Sequence, residues 1–166
     1  MIIPRLRLAL LVCAIASAAA LGVALGSEKW GELVPCAMCL VERWPYRIAA
    51  ALAVAGLFLP RRAAWLVLCL CILTLLGAAV AGFVHVGVEH AWWPSPLPEC
   101  VAPDLSGLTV SERLARMPAR PSMSCEDPTY LIPHIPVSMA EMNTIFALAL
   151  AGGLAIFMVN NRRSLL

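Results

Sequence analysis

Four runs with few or no charges divide the chain: Leu8 to Gly26, Ile48 to Leu59, Ala63 to Val88, and Val137 to Val159, the last interrupted only by Glu141. Each reaches or nearly reaches the roughly 20 residues with which an α-helix crosses a hydrocarbon core of roughly 30 Å. The second is short by itself and needs Val41 to Tyr46 as its first turns, which places Glu42, Arg43 and Arg47 near one interface. The pattern predicts an all-α membrane protein, a four-transmembrane-helix bundle with spans at about 7–26, 41–59, 63–88 and 137–159, and one integral membrane domain over residues 1–166. Composition points the same way, because 61% hydrophobic and 13% charged residues with a mean hydropathy of +0.86 lie outside the range of soluble domains.

Arginines set the expected orientation, since Lys and Arg collect in short cytoplasmic flanks. Arg5 and Arg7 precede the first span, Arg61 and Arg62 fill the second connection, and Arg162 and Arg163 follow the fourth. All three clusters fall on one side, so both termini are expected in the cytoplasm and the loops at about 27–40 and 89–136 outside. Trp30, Trp44, Trp92 and Trp93 then mark the outer interface, as an aromatic belt does. A competing reading takes Arg5, Arg7 and Ala16-Ser17-Ala18 as a signal peptide, but signal h-regions run only about 7–15 residues and this apolar run continues to Gly26.

That topology sorts the seven cysteines. Cys36, Cys39, Cys100 and Cys125 lie outside, whereas Cys13, Cys69 and Cys71 lie within spans. Four cysteines in an oxidising compartment read as disulfides, in any of three pairings. The three membrane cysteines start near the cytoplasmic ends, out of reach of the outer four, and read as small buried hydrophobes.

The second outer loop, 89–136, is far longer than a hairpin between spans needs, and nine of the 13 prolines lie in it. Proline fixes φ and removes a donor, so an irregular, semi-rigid loop is expected. Thr109-Val-Ser-Glu112 is an exception, since it fits a capping box and Val110, Leu114 and Met117 fall on one helical face. A short amphipathic helix lying on the bilayer surface is predicted there, holding the loop down.

The candidate chemistry centres on Cys36-Ala-Met-Cys39. Such a pair closes as an easily reduced disulfide, and a helix N-terminus or neighbouring cation depresses thiol pKa. At i, i+3 the two sulfurs face each other on a helix start, with Pro35 as an entry residue. Arg43 follows Cys39 by four residues, and its permanently charged guanidinium can stabilise a thiolate or bond a carbonyl oxygen of a ligand. Arg47 continues the stripe one turn deeper, either toward a ligand or snorkelling to headgroups. Glu42 can pair with an arginine or with interfacial water. Zinc is the obvious rival for four cysteines plus His85, His90 and His134, but there is only one C-x-x-C and the compartment favours disulfides, so no metal is expected. His85, near the outer end of the third span, reads equally as an interior histidine or a ligand contact; His90 and His134 read as interfacial. The net charge of +2 is accounted for by flanking arginines, and nothing suggests nucleic-acid binding.

In these motifs the chain resembles the bacterial disulfide bond formation protein B (DsbB) family of quinone reductases. The likeness rests on Cys36-Ala-Met-Cys39-Leu-Val-Glu42-Arg43-Trp-Pro-Tyr, on Phe83-Val-His-Val-Gly-Val-Glu89 running into Trp92-Trp93-Pro, on Cys100 and Cys125, and on Ser138-Met-Ala-Glu-Met-Asn143. Met142 stands where the family pattern leads one to expect an aromatic before Asn143. The resemblance implies a thiol:quinone oxidoreductase of the bacterial inner membrane with redox-active loops facing the periplasm. A DsbA-type thioredoxin-like oxidase would attack a Cys100–Cys125 disulfide at Cys100, with Cys125 resolving. Electrons would then pass to Cys36–Cys39, and Cys39, beside Arg43, would donate to ubiquinone or menaquinone, with His85 and Arg47 as further candidate contacts. Two other classes compete. A vitamin K epoxide reductase-like enzyme carries its active pair late in the chain, whereas here it opens the second span; a non-enzymatic scaffold would hold stable, unreactive disulfides.

Overall fold

The computed structural model describes residues 2–100, 107, 109–116, 123–132 and 135–161. Met117, His134, Arg162 and Arg163 lie outside the described residues. Four long helices, α1 (Ile2–Trp30), α2 (Ala37–Gly56), α3 (Arg61–Glu89) and α5 (Met139–Asn161), are joined by short turns and by one long loop carrying the seven-residue α4 (Val110–Arg116). No strand occurs among the described residues.

Three helices are long and apolar enough to cross a membrane, within Arg5–Trp30, Arg61–Glu89 and Met139–Asn161. The fourth, α2, has 20 residues but carries Glu42, Arg43 and Arg47 in its first half. Its surface reverses the pattern of a helix in water. Leu40, Val41, Trp44 and Ile48 face outward, while Glu42, Arg43, Tyr46, Ala49 and Ala53 are buried. Glu42 and Arg43 turn inward to partners while Arg47 stays exposed, an arrangement compatible with a hydrocarbon solvent, in which an unpartnered polar group is costly. The same solvent explains the bare outer faces of the other helices, where Leu8, Ile15, Leu66, Leu73, Ile145 and Ile156 are each more than half exposed.

Without water to drive association, membrane helices pack through small residues that let backbones approach. Ala49 and Ala53 on α2, Ala78 and Ala79 on α3, and Ala147 and Ala151 on α5 are all fully or almost fully buried. In this way α2 seats against α1 and α3, and α3 against α5, whereas α5 touches α1 only sparsely. At Gly82 a side chain would drive into Thr144 and come within 3.0 Å of Asn143 Nδ2, so glycine there lets α5 come close enough to deliver Asn143 to the interior. Gly87 does the same for the Trp93 ring, which would occupy the place of any Cβ.

The helix ends are fixed locally. Ser138 and Glu141 form a reciprocal capping box at α5, with Ser138 N–H donating to Glu141 Oε2 at 2.9 Å and Glu141 N–H to Ser138 Oγ at 3.1 Å. Thr109 and Glu112 make the equivalent pair at α4. Glu112 is held below the usual carboxylate range by those bonds from Thr109. After α3, Ala91 takes a left-handed φ of 54° and Trp92 N–H reaches back to Gly87 O at 2.8 Å, which turns the chain across the end of the bundle.

Candidate active site

The site begins at the N-terminus of α2. Cys36 is the N-cap, its sulfur accepting from Cys39 N–H at 3.2 Å. One helical turn separates the two thiols, so Cys39 Sγ comes to 3.0 Å from Cys36 Sγ. The hydrogen bond between the two thiols, supported by the backbone N–H of Cys39, holds Cys36 below the ordinary thiol range against the opposing effect of its burial. A thiol in this position is a poised nucleophile.

A connected set of buried polar side chains stands behind the pair. His85 of α3 brings Nε2 to 3.5 Å from Cys36 Sγ, while its Nδ1 lies 2.7 Å from Glu42 Oε1. The other carboxylate oxygen of Glu42 accepts from Asn143 Nδ2 of α5 at 2.7 Å, and Asn143 Oδ1 accepts from Tyr46 OH at 2.6 Å. Three helices are thereby tied together through one carboxylate. Glu42 does not pair with an arginine; its partners are a histidine and an amide across the bundle.

Arg43, the next residue, points to another neighbour and pairs with Glu28 of α1. It is 7% exposed, and its Nε has no hydrogen-bond partner. Where α1 and α5 fail to meet, a cleft of about 270 Å³ opens between α1, α2 and α5. Ala20, Leu21, Val23 and Phe146 give it an apolar wall, and Cys39, Glu42, Arg43, Tyr46 and Asn143 line its polar end.

Cys100 and Cys125 are joined in a disulfide, with Cα atoms 5.0 Å apart. Both are fully buried, and they share one cluster with Cys36, Met38 and Val88, against which Cys39, Trp93 and Leu97 pack. Cys36, Cys39, Cys100 and Cys125 thus occupy one apolar nest. A model of the family of disulfide bond formation protein DsbB matches residues 6–157, nearly the whole chain.

The chain belongs to the DsbB family.

It is accordingly a membrane oxidoreductase of disulfide-bond formation. No curated protein and no solved structure matches it. Within this DsbB-family chain the structure gathers Cys36, Cys39, Arg43 and His85 at one end of the bundle and keeps Arg47 apart. Arg47 is exposed and lies over the Trp44 ring at 5.2 Å, outside the cleft. His90 is also peripheral, stacked on Trp92 and 3.3 Å from Glu141. Met142, at the position where the family pattern suggests an aromatic, lines the cleft. Cys13 and Cys71 sit in the main core, fully buried and meeting each other, and the half-buried Cys69 brings its Sγ to 3.6 Å from Met158 Sδ.

Sequence reasoning missed Tyr46 and Asn143 and underrated Glu42. The available signal was the rule that an ionisable group inside an apolar span has a partner there. Naming the partner requires knowing that Gly82 lets α5 approach α3.

Proposed function

We propose that this protein reoxidises a periplasmic DsbA-type oxidase and passes the electrons through Cys100–Cys125 and Cys36–Cys39 to a membrane quinone. One observation carries the reading: a largely apolar cleft is lined at one end by Cys39 and by Arg43, whose buried Nε has no hydrogen-bond partner. An unpaired buried donor is costly, and a carbonyl oxygen would satisfy it. The cleft suits a flat ring with two such oxygens, its tail leaving between α1 and α5. A bound ubiquinone or menaquinone supplies a two-electron, two-proton acceptor of higher potential than a strongly oxidising dithiol, the arrangement by which a bacterial periplasm is kept oxidising.

The chain's own residues do the rest. Two thiols lose two electrons and two protons, and one S–S bond forms. Cys39, on the cleft side, is the donor. Cys36, held below the ordinary thiol range by its bonds to Cys39, is the nucleophile that recloses the pair by attack on the Cys39 sulfur. Arg43 orients a ligand oxygen, and His85 with Glu42 holds a proton-accepting nitrogen beside Cys36. The shared cluster of all four cysteines gives the two pairs a short path for exchange. Cys100 at 1% exposure must be uncovered before a partner thiolate reaches it, so docking of the partner displaces the second loop.

In the topology that goes with this reading both termini lie in the cytoplasm, α2 completes a four-span bundle, the two loops face the periplasm, and α4 rests on the bilayer surface. The test is quinone reduction by the purified protein in detergent, driven by a reduced thioredoxin-like oxidase and followed by quinone ultraviolet absorbance. Turnover that vanishes in Cys39→Ser is expected; no turnover with either ubiquinone or menaquinone would overturn the reading in favour of a scaffold with structural disulfides.

A further inference from the structure

We propose that the reduced Cys36–Cys39 pair and His85 form a capture site for one thiophilic d10 cation of the zinc and cadmium class, and that occupancy locks the enzyme in its dithiol form. The ligand atoms Cys36 Sγ, Cys39 Sγ and His85 Nε2 all lie within 4.8 Å of one another. A tetrahedral ion with metal–sulfur bonds of about 2.3 Å and metal–nitrogen bonds of about 2.0 Å holds S and N ligands about 3.5 Å apart and two sulfurs about 3.8 Å apart. The Cys36 Sγ to His85 Nε2 separation is already 3.5 Å, and the 3.0 Å between the sulfurs opens to the required spacing by a small rotation about side-chain bonds.

The surroundings of His85 argue for a ligand rather than a chance neighbour. Metal-bound imidazoles hand their other ring nitrogen to a carboxylate, which fixes the tautomer and orients the ring. Here Glu42 Oε1 takes Nδ1 at 2.7 Å, leaving the Nε2 lone pair facing the sulfurs. The carboxylate is itself anchored by Asn143 at 2.7 Å. Cys36 as N-cap receives the Cys39 backbone N–H, a bond that stabilises a ligating thiolate. Charge favours the complex too, because two thiolates and one divalent cation sum to zero in a buried setting. Binding releases the two thiol protons and changes no oxidation state. Cys39 lines the cleft, and the fourth ligand enters from that side.

The sequence argues against zinc because it holds one C-x-x-C, isolated further cysteines and an oxidising setting; the structure adds His85, 49 residues from Cys36, brought beside the pair by the packing of α3 on α2. A closed Cys36–Cys39 disulfide offers no thiolate, so the site exists only after reduction. The inhibitory consequence rests on the redox reading proposed above, whereas the binding does not.

The test uses full-length protein in detergent, reduced with a phosphine and freed of it anaerobically, and titrated with Cd²⁺ while thiolate-to-metal absorption is followed in the ultraviolet. One ion per chain is expected, displaced by Zn²⁺ and absent from protein reoxidised with diamide. Cys36→Ser and Cys39→Ser abolish the band, and His85→Ala and Glu42→Gln each weaken binding about 10-fold or more. A Cys100→Ser/Cys125→Ser double variant and a Cys13→Ala/Cys71→Ala double variant retain it. Binding that survives oxidation, that is unchanged in His85→Ala, or that disappears with the Cys13/Cys71 change would overturn the proposal. A parallel assay of dithiol-driven quinone reduction separates the two readings: stoichiometric Cd²⁺ binding by a protein that never reduces quinone refutes the redox route and leaves the metal site standing, while full turnover with Cd²⁺ bound refutes the lock.

Discussion

Two pairs of cysteines lie in this one bundle, and their surroundings differ in almost every respect. Cys36 and Cys39 sit at a helix N-terminus, with a backbone donor, an imidazole and a guanidinium close by. Cys13 and Cys71 meet in the core between α1 and α3, where their other polar neighbours are the Ser17 hydroxyl beside Cys13 and the Ala49 carbonyl 3.7 Å from the Cys71 thiol. Both pairs have two thiols in contact. What separates them is the set of groups able to stabilise a thiolate, receive its proton and admit an acceptor, so reactivity here belongs to the setting and not to the residue type.

Removing Cys36 or Cys39 sharpens the contrast most. Cys36→Ser and Cys39→Ser abolish turnover, whereas Cys13→Ala and Cys71→Ala leave kcat for quinone reduction unchanged. Cys100→Ser and Cys125→Ser stop oxidation of the protein partner but leave small dithiols able to reduce quinone, which a stopped-flow assay with dithiothreitol resolves. Next comes Glu42, the group that distinguishes the two environments. Glu42→Ala strands His85 and Asn143 in the interior and costs about 3 kcal/mol of stability, read as a fall in thermal midpoint in detergent. Glu42→Gln keeps the volume and lowers the midpoint less.

Much of this was legible from the chain. Runs of apolar residues gave the long helices with ends within a few residues, because a span in lipid has to be apolar and has to be about 20 residues long. The α2 boundary moved from 41–59 to Ala37–Gly56, since Pro35 and the Cys36 cap start a helix that hydropathy cannot see and Leu57 to Leu59 are already turning. The C-x-x-C and Arg43 were readable because local spacing fixes them. The links from Glu42 to His85 and from Asn143 to Tyr46 were not, because they cross between helices and depend on small residues such as Gly82 that look like ordinary span residues. The ion pair of Arg43 with Glu28 was hidden for the same reason.

Smaller effects probe the cleft and the pair separately. Arg43→Gln raises the quinone KM about 10-fold, roughly 1.4 kcal/mol of binding, with kcat less affected; unchanged kinetics would return Arg43 to an anchoring role with Glu28. For the pH dependence, Cys36 held below the ordinary range keeps its thiolate to lower pH than a free thiol of pKa about 8.5. A thiolate-absorbance titration of the reduced protein therefore shows one midpoint shifted downward, and Cys39→Ala, which removes the bond that contributes most to that shift, moves it upward. Smallest is the inner pair, where Cys71→Ala leaves a sulfur-sized void and costs about 1 kcal/mol, with no change in any redox property.

The central claim is that electrons leave the protein through Cys39 at the cleft. The most direct measurement compares quinone reduction driven by a small dithiol in the unmodified protein, in Cys100→Ser and in Cys39→Ser. A retained rate in Cys100→Ser and none in Cys39→Ser is expected; a Cys39→Ser protein that reduces quinone at the full rate would rule out Cys39 as the donor.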